Sequence, residues 1–218
     1  AYKHKIRPPS LPFTLNSAVD NLCKNEFDHY RAKAEPHPMF IEHGIDAVPF
    51  AHEKMDEWRN NFKGIRHIDE EAGYNFGGAV DDIWEKTNGD LIVIDVKSTS
   101  KNVFDWEDTY SKWEYAKGYQ RQLEMYQWLL EKNGFNVASE GYLVYYNGKK
   151  HEPMFNQQLT FDLHLVKLEC DNSWVEEAVL NAKATLDGDM PIPSKTCENC
   201  NYLRKRWEVS QKKPDNLL

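Results

Sequence analysis

The chain has 218 residues, with 27 Lys and Arg against 35 Asp and Glu, for a net charge of −8. That length can bury a sizeable core, and seven Trp, eleven Tyr and ten Phe supply apolar area for it. No apolar run is long enough to cross a bilayer and no secretory signal is visible, so the expectation is one soluble, cytoplasmic domain over residues 1–218, while the acidic balance argues against a broad phosphate-binding surface.

In chain order, residues 1–14 read as extended, with Pro8, Pro9 and Pro12. Ser17 can cap a helix that reaches about Lys33. Pro36 and Pro38 break the chain. Pro49 suits the first turn of a second helix reaching Phe62. On that helix Val48, Ala51, His52, Met55 and Phe62 fall at helical spacing, which puts His52 on the apolar stripe. Taken alone, such a residue is a satisfied core histidine. These elements form an N-terminal helical part at about 15–66.

A core at about 74–169 follows. The stretch from Gly77 to Lys97 reads as two strands around Asn88-Gly89. Leu91 to Ile94 is a continuous apolar run, as in a strand buried on both faces. Ile94 and Val96 share one face, so Asp95 and Lys97 share the other. A two-residue Asn88-Gly89 loop would set Asp82 opposite Asp95, and a three-residue Thr87–Gly89 loop would set Asp81 there. Burying a carboxylate and an ammonium at the end of an apolar strand is costly unless they pair or bind metal. Oxygen ligands of this kind suit Mg²⁺ or Mn²⁺.

Residues 98–114 read as a polar and aromatic loop, long enough to form a flap. Tyr115 to Lys132 reads as a helix stopped by Asn133-Gly134. On it, Gln122 and Tyr126 share a face at i and i+4. Gly141–Tyr146 and Leu159–Glu169 read as strands around an Asn147-Gly148 turn. Ser173 to Leu186 reads as a helix, and with the Cys197-Glu198-Asn199-Cys200 segment it makes a C-terminal part at about 173–206. The order α-α-β-β-α-β-β-α fits a mixed sheet flanked by helices.

Gly78-Ala79-Val80-Asp81, then Asp95-Val96-Lys97 after a hydrophobic strand, resembles the PD-(D/E)XK nuclease superfamily, in particular its RecB-type branch with the CRISPR-adaptation nucleases. The resemblance implies a restriction-endonuclease-like α/β (α+β) core and a metal-dependent deoxyribonuclease, an exonuclease on DNA ends or single strands. Of the two candidate acids it selects Asp81, with Asp82 in reserve. It implies Mg²⁺ or Mn²⁺ held by His52, Asp81, Asp95 and the Val96 carbonyl, with Lys97 acting on the attacked phosphate. Gln122-Leu123-Glu124-Met125-Tyr126 resembles that branch's Q-L-x-x-Y element, whose Gln122 and Tyr126 support the active site and the strand's path. Many relatives hold a [4Fe–4S] cluster on one early and three late cysteines. Cys23, after Ser17 and before Phe27, and then Cys197 and Cys200 match three of these; Arg206 stands where the fourth is expected, and Cys170 is a poor substitute by position. Without a cluster the three would be buried thiols.

The implied partners are DNA, as single strands or duplex ends, and a helicase, recombinase or CRISPR-adaptation protein, with no membrane. Lys97, Lys101, Lys112, Lys117 and Arg121 gather in sequence near the site, with Trp106, Trp113 and Tyr119 among them, and unpaired bases can stack on such rings. A second basic group is Arg204, Lys205, Arg206, Lys212 and Lys213. The alternative function is a catalytically silent DNA-binding or scaffolding subunit on the same fold.

Overall fold

The computed structural model describes residues 14–211. The extended N-terminal segment expected before Thr14, and Lys212 and Lys213, lie outside the described residues. Two compact units divide the chain, residues 1–179 and residues 180–218.

The first unit contains α1 (Thr14–Arg31), α2 (Pro38–Glu42), β1 (Ala47–Pro49), α3 (Met55–Trp58), β2 (Ile65–Asp69), β3 (Tyr74–Gly78), β4 (Asp82–Lys86), β5 (Leu91–Thr99), α4 (Trp106–Lys112), α5 (Glu114–Lys132), β6 (Val137–Gly148) and β7 (Phe161–Glu169), and it ends within α6 (Val175–Asp187). The second holds the rest of α6 and α7 (Glu198–Ser210). No helix among the described residues is long and apolar enough to cross a membrane.

The expected mixed sheet is present, in the order β1-β4-β5-β6-β7. Only the β5–β6 pair is parallel. A parallel pair needs a crossover, and α5 supplies it. Because β5 is central, its apolar run is buried on both faces. Leu91 and Val93 pack with Leu123, Leu129 and Leu130 of α5. Ile92 and Ile94 pack with Cys23 and Phe27 of α1, and with Phe40 and Trp84. α1 contributes Cys23 and Phe27 one turn apart, and α5 stops at Asn133-Gly134, where Gly134 takes the positive φ of +88° that ends helices.

Several expectations are corrected. No helix starts at Pro49: that residue ends the edge strand β1 opposite Trp84, and the Phe50 N–H continues the pairing to the Ile83 carbonyl at 2.9 Å. Edge position explains the tolerated proline, and helix resumes only for the four residues of α3. Residues 65–78 form a separate hairpin, β2 on β3. The 98–114 segment is not one loop, since β5 runs to Thr99 and α4 follows, capped by Asp105 accepting from the Asp108 N–H at 2.9 Å. Asn147-Gly148 continues β6, paired with Asp162 and Phe161, instead of turning the chain.

Candidate active site

The β4–β5 turn decides which acid faces the site. Asp82 pairs with Ile94 and Glu85 with Leu91, and the Lys86 N–H reaches the Asp90 carbonyl at 2.9 Å. The loop is therefore the three-residue Thr87–Gly89, with Gly89 at φ +86°. Asp81, one residue before β4, comes beside Asp95, and its Oδ2 accepts the Val96 N–H at 2.7 Å. Asp82 falls on the opposite face, toward α1, where it is fully buried.

A cleft of about 350 Å³ opens at the end of β5, lined by Asp81, Asp95, Val96, Lys97, Gln122 and Tyr126, and by Asp20 of α1. Lys97 forms an ion pair with Asp95. The Lys97 ammonium also stands 4.5 Å from the centre of the Tyr119 ring. Gln122 donates from Nε2 to the Tyr126 hydroxyl at 2.8 Å. The structure thus brings Asp81, Asp95, Val96, Lys97, Gln122 and Tyr126 together.

It does not bring His52. With no helix at Pro49, His52 precedes α3 and joins an aromatic stack. Its ring lies on Trp58 with centroids 4.3 Å apart and 14° between planes, and edge-on to Phe135 at 5.6 Å. Its Nδ1 accepts the Lys54 N–H at 3.2 Å. His52 is not among the residues lining the cleft.

Asp20 is the residue that sequence reasoning missed. Its Oδ1 is buried without a hydrogen-bond partner among the described residues. Lys24, one turn later, reaches Asp20 at 2.8 Å and Asp81 at 3.8 Å. The available signal was an acid and a lysine at i and i+4, beside the stripe that carries Cys23 and Phe27 into the core.

Electrostatics follow from this crowding. Burial pushes the Asp95 carboxyl up to about 7, Lys97 opposes the rise, and Asp81 adds to it. Asp81 is raised as well, by burial first, against the Val96 N–H and with Asp20 contributing. Burial lifts the Tyr126 hydroxyl to about 12, so it stays protonated at neutral pH. Two carboxylates side by side resist ionising together unless a cation is added.

Three carboxylates, two of them (Asp20 and Asp95) with a buried oxygen that no hydrogen bond among the described residues satisfies, form a donor set suited to a hard dication. Among the described residues no three His, Cys, Asp or Glu side chains stand as a ready-made metal cage. In their present arrangement the lysines Lys24 and Lys97 hold the carboxylate charge.

The cysteines give an iron–sulfur cluster no support. Cys23 is buried, its Sγ lies 3.4 Å from the Tyr146 hydroxyl, and burial pushes its thiol up to about 12. In the second unit Cys197 caps α7, accepting the Cys200 N–H at 3.4 Å, and that bond lowers its thiol. All four cysteines are free thiols, divided two and two between the units, so neither unit supplies four thiolates.

Glycine is required where α5 meets the hairpin. A Cβ on Gly78 would come 2.5 Å from Tyr126 Cε1. Gly78→Ala is therefore expected to cost about 1–3 kcal/mol through displacement of the Tyr126 ring. A denaturant midpoint measures the loss, and combining it with Tyr126→Ala should give a sum well short of additive, because the second change makes room for the first.

A mixed sheet with an acid at the start of one central strand, an acid and a lysine on the next, and a helix closing over them is a nuclease architecture. The chain matches the family model of the PD-(D/E)XK nuclease superfamily over residues 5–204. It belongs to that superfamily, with the nuclease-type function this implies. No curated protein and no solved structure matches it.

Proposed function

We propose that this chain is a metal-dependent deoxyribonuclease of the RecB-type branch that hydrolyses DNA phosphodiesters, acting as an exonuclease on ends or single strands. The observation that supports this reading best is the gathering of Asp81, Asp95 and Lys97 in one cleft that α1 completes with Asp20. Mg²⁺ or Mn²⁺ held by Asp20, Asp81 and Asp95, with the Val96 carbonyl, would supply Lewis-acid polarisation of the phosphate and a more acidic water. Asp20 replaces His52 in the donor set. Lys97 offers its ammonium to charge that develops on the phosphate, and the Tyr119 ring and Asp95 hold it in place. Tyr126, kept protonated and bonded by Gln122, can donate to a strand oxygen.

The α5 helix is fixed from its other side, which keeps these groups at the cleft. Glu124 accepts from the Trp174 indole N–H at 2.7 Å, and Gln127 donates to the Ala138 carbonyl at 3.0 Å.

The test is end-labelled single- and double-stranded DNA incubated with Mg²⁺, Mn²⁺ or EDTA. Cleavage is expected with metal and not with EDTA. Lys97→Ala should reduce its rate by roughly 10³-fold, the scale of removing one preorganised charge donor, with DNA binding retained. Cleavage unchanged in Lys97→Ala would assign the activity to a contaminant. DNA bound but uncut with either metal is the outcome that favours the scaffolding alternative.

A further inference from the structure

We infer that the substrate strand enters this site unpaired, and that Trp113 and Tyr115 stack its bases. The inference rests on the nuclease reading and names the form of DNA the cleft takes.

The rings form a continuous path out of the cleft. Tyr119 lines the cleft, with the Lys97 ammonium against its face. Tyr115, one turn earlier on α5, lies with its ring centre 5.7 Å from that of Tyr119. Trp113, at the corner between α4 and α5, follows at 6.1 Å from Tyr115 with 32° between planes. The two outer rings are not core residues: Trp113 is 56% exposed and Tyr115 46% exposed. Large rings left open beside a catalytic cleft, ordered outward from its lysine, match the stacking platforms on which single strands are held.

Charge supports the same conclusion. A duplex is gripped mainly through its phosphates by an extended basic surface, and this chain carries a net −8. Three of the nearby basic side chains are paired with acids on the same surface. Lys112 pairs with Asp108, and Lys117 and Arg121 both pair with Glu114. Stacking needs no net positive charge, and it requires bases that are not paired with each other.

The test is fluorescence anisotropy on the full chain in EDTA, so that binding is read without cleavage. The probes are a fluorescein-labelled oligo-dT and a blunt duplex of equal length. The unmodified protein is expected to bind the single strand more tightly. Trp113→Ala and Tyr115→Ala should each lose on the order of tenfold in single-strand affinity and leave duplex affinity unchanged. Tyr115→Phe should restore binding, because a phenyl ring stacks as well as a phenol. Equal affinity for the two probes, or single-strand affinity unmoved in Trp113→Ala, would overturn the inference. The two readings fail separately: ring-dependent single-strand binding without cleavage in Mn²⁺ removes the nuclease and supports the platform, while cleavage of duplex by a Trp113→Ala protein at full rate removes the platform and keeps the nuclease.

Discussion

Asp82→Ala is expected to be among the most destabilising single changes in this chain, whereas Asp81→Asn, one residue away, should leave the fold intact and remove cleavage. Asp82 is fully buried. Both its oxygens are taken by guanidinium groups, one by Arg31 of α1 and one by Arg59. Both arginines also reach Asp28, Arg59 at 2.8 Å, and the Arg31 Nε donates to the Phe50 carbonyl at 2.7 Å. This cluster ties α1, β1, the end of α3 and the start of β4 together. Its removal leaves two largely buried cations sharing one half-exposed carboxylate. Breaking a buried pair from one side costs about 3–5 kcal/mol, a large share of a stability of about 5–15 kcal/mol. In urea this appears as a midpoint lower by ~1–2 M. Asp81 has no such role: its partners are one backbone N–H, a lysine at 3.8 Å and the neighbouring Asp95 carboxyl, none of which ties distant elements together as the Asp82 cluster does, so the asparagine variant should unfold within about 0.5 M of the unmodified protein. Equal falls in the two midpoints would mean that the hairpin register is not the one described.

How far the sequence carries the structure is clear from the same residues. Leu91–Ile94 reads as a strand buried on both faces, and it is one. The Gln122 helix, its Asn133-Gly134 stop and β7 also follow from periodicity and turn chemistry. Elsewhere a tertiary partner decides. Thr87-Asn88-Gly89 is compatible with either of two hairpin registers, and the folded chain takes the three-residue loop. The two arginines that hold Asp82 on the far face come from 51 and 23 residues away, a distance at which local pattern carries no information. His52 has helical spacing with its neighbours, yet Pro49 and Phe50 pair with β4 and override that spacing. Asp20 sits on an ordinary amphipathic helix. Only the packing of α1 over Ile92 and Ile94 brings it to the cleft.

Asp95→Asn should make the metal-free protein more stable at pH 8 while removing cleavage, a sign opposite to that of most buried substitutions. In the folded chain burial raises the Asp95 carboxyl from 3.8 to about 7. The folded state therefore binds this proton more tightly than the unfolded state. The resulting stability is fully present below about pH 4 and is lost as pH rises through about 7. At pH 8 the unmodified protein bears the whole penalty and asparagine bears none. Lys97 loses its partner in the variant, but it borders the cleft and can be solvated there, so the net gain is expected to be about 3–6 °C in the thermal midpoint. At pH 4 the two proteins should melt together. Millimolar Mn²⁺ reverses the order at pH 8. A ligand present at 100 times its Kd stabilises by about 2.7 kcal/mol, or ~5–10 °C for a domain of this size, and the variant lacks a central carboxylate with which to bind it. A crossing of the two midpoints on adding metal would tie the strain in Asp95 to cation binding at the proposed site. Manganese stabilising both proteins equally, or the variant melting lower in EDTA at pH 8, would show that Asp95 is a structural acid.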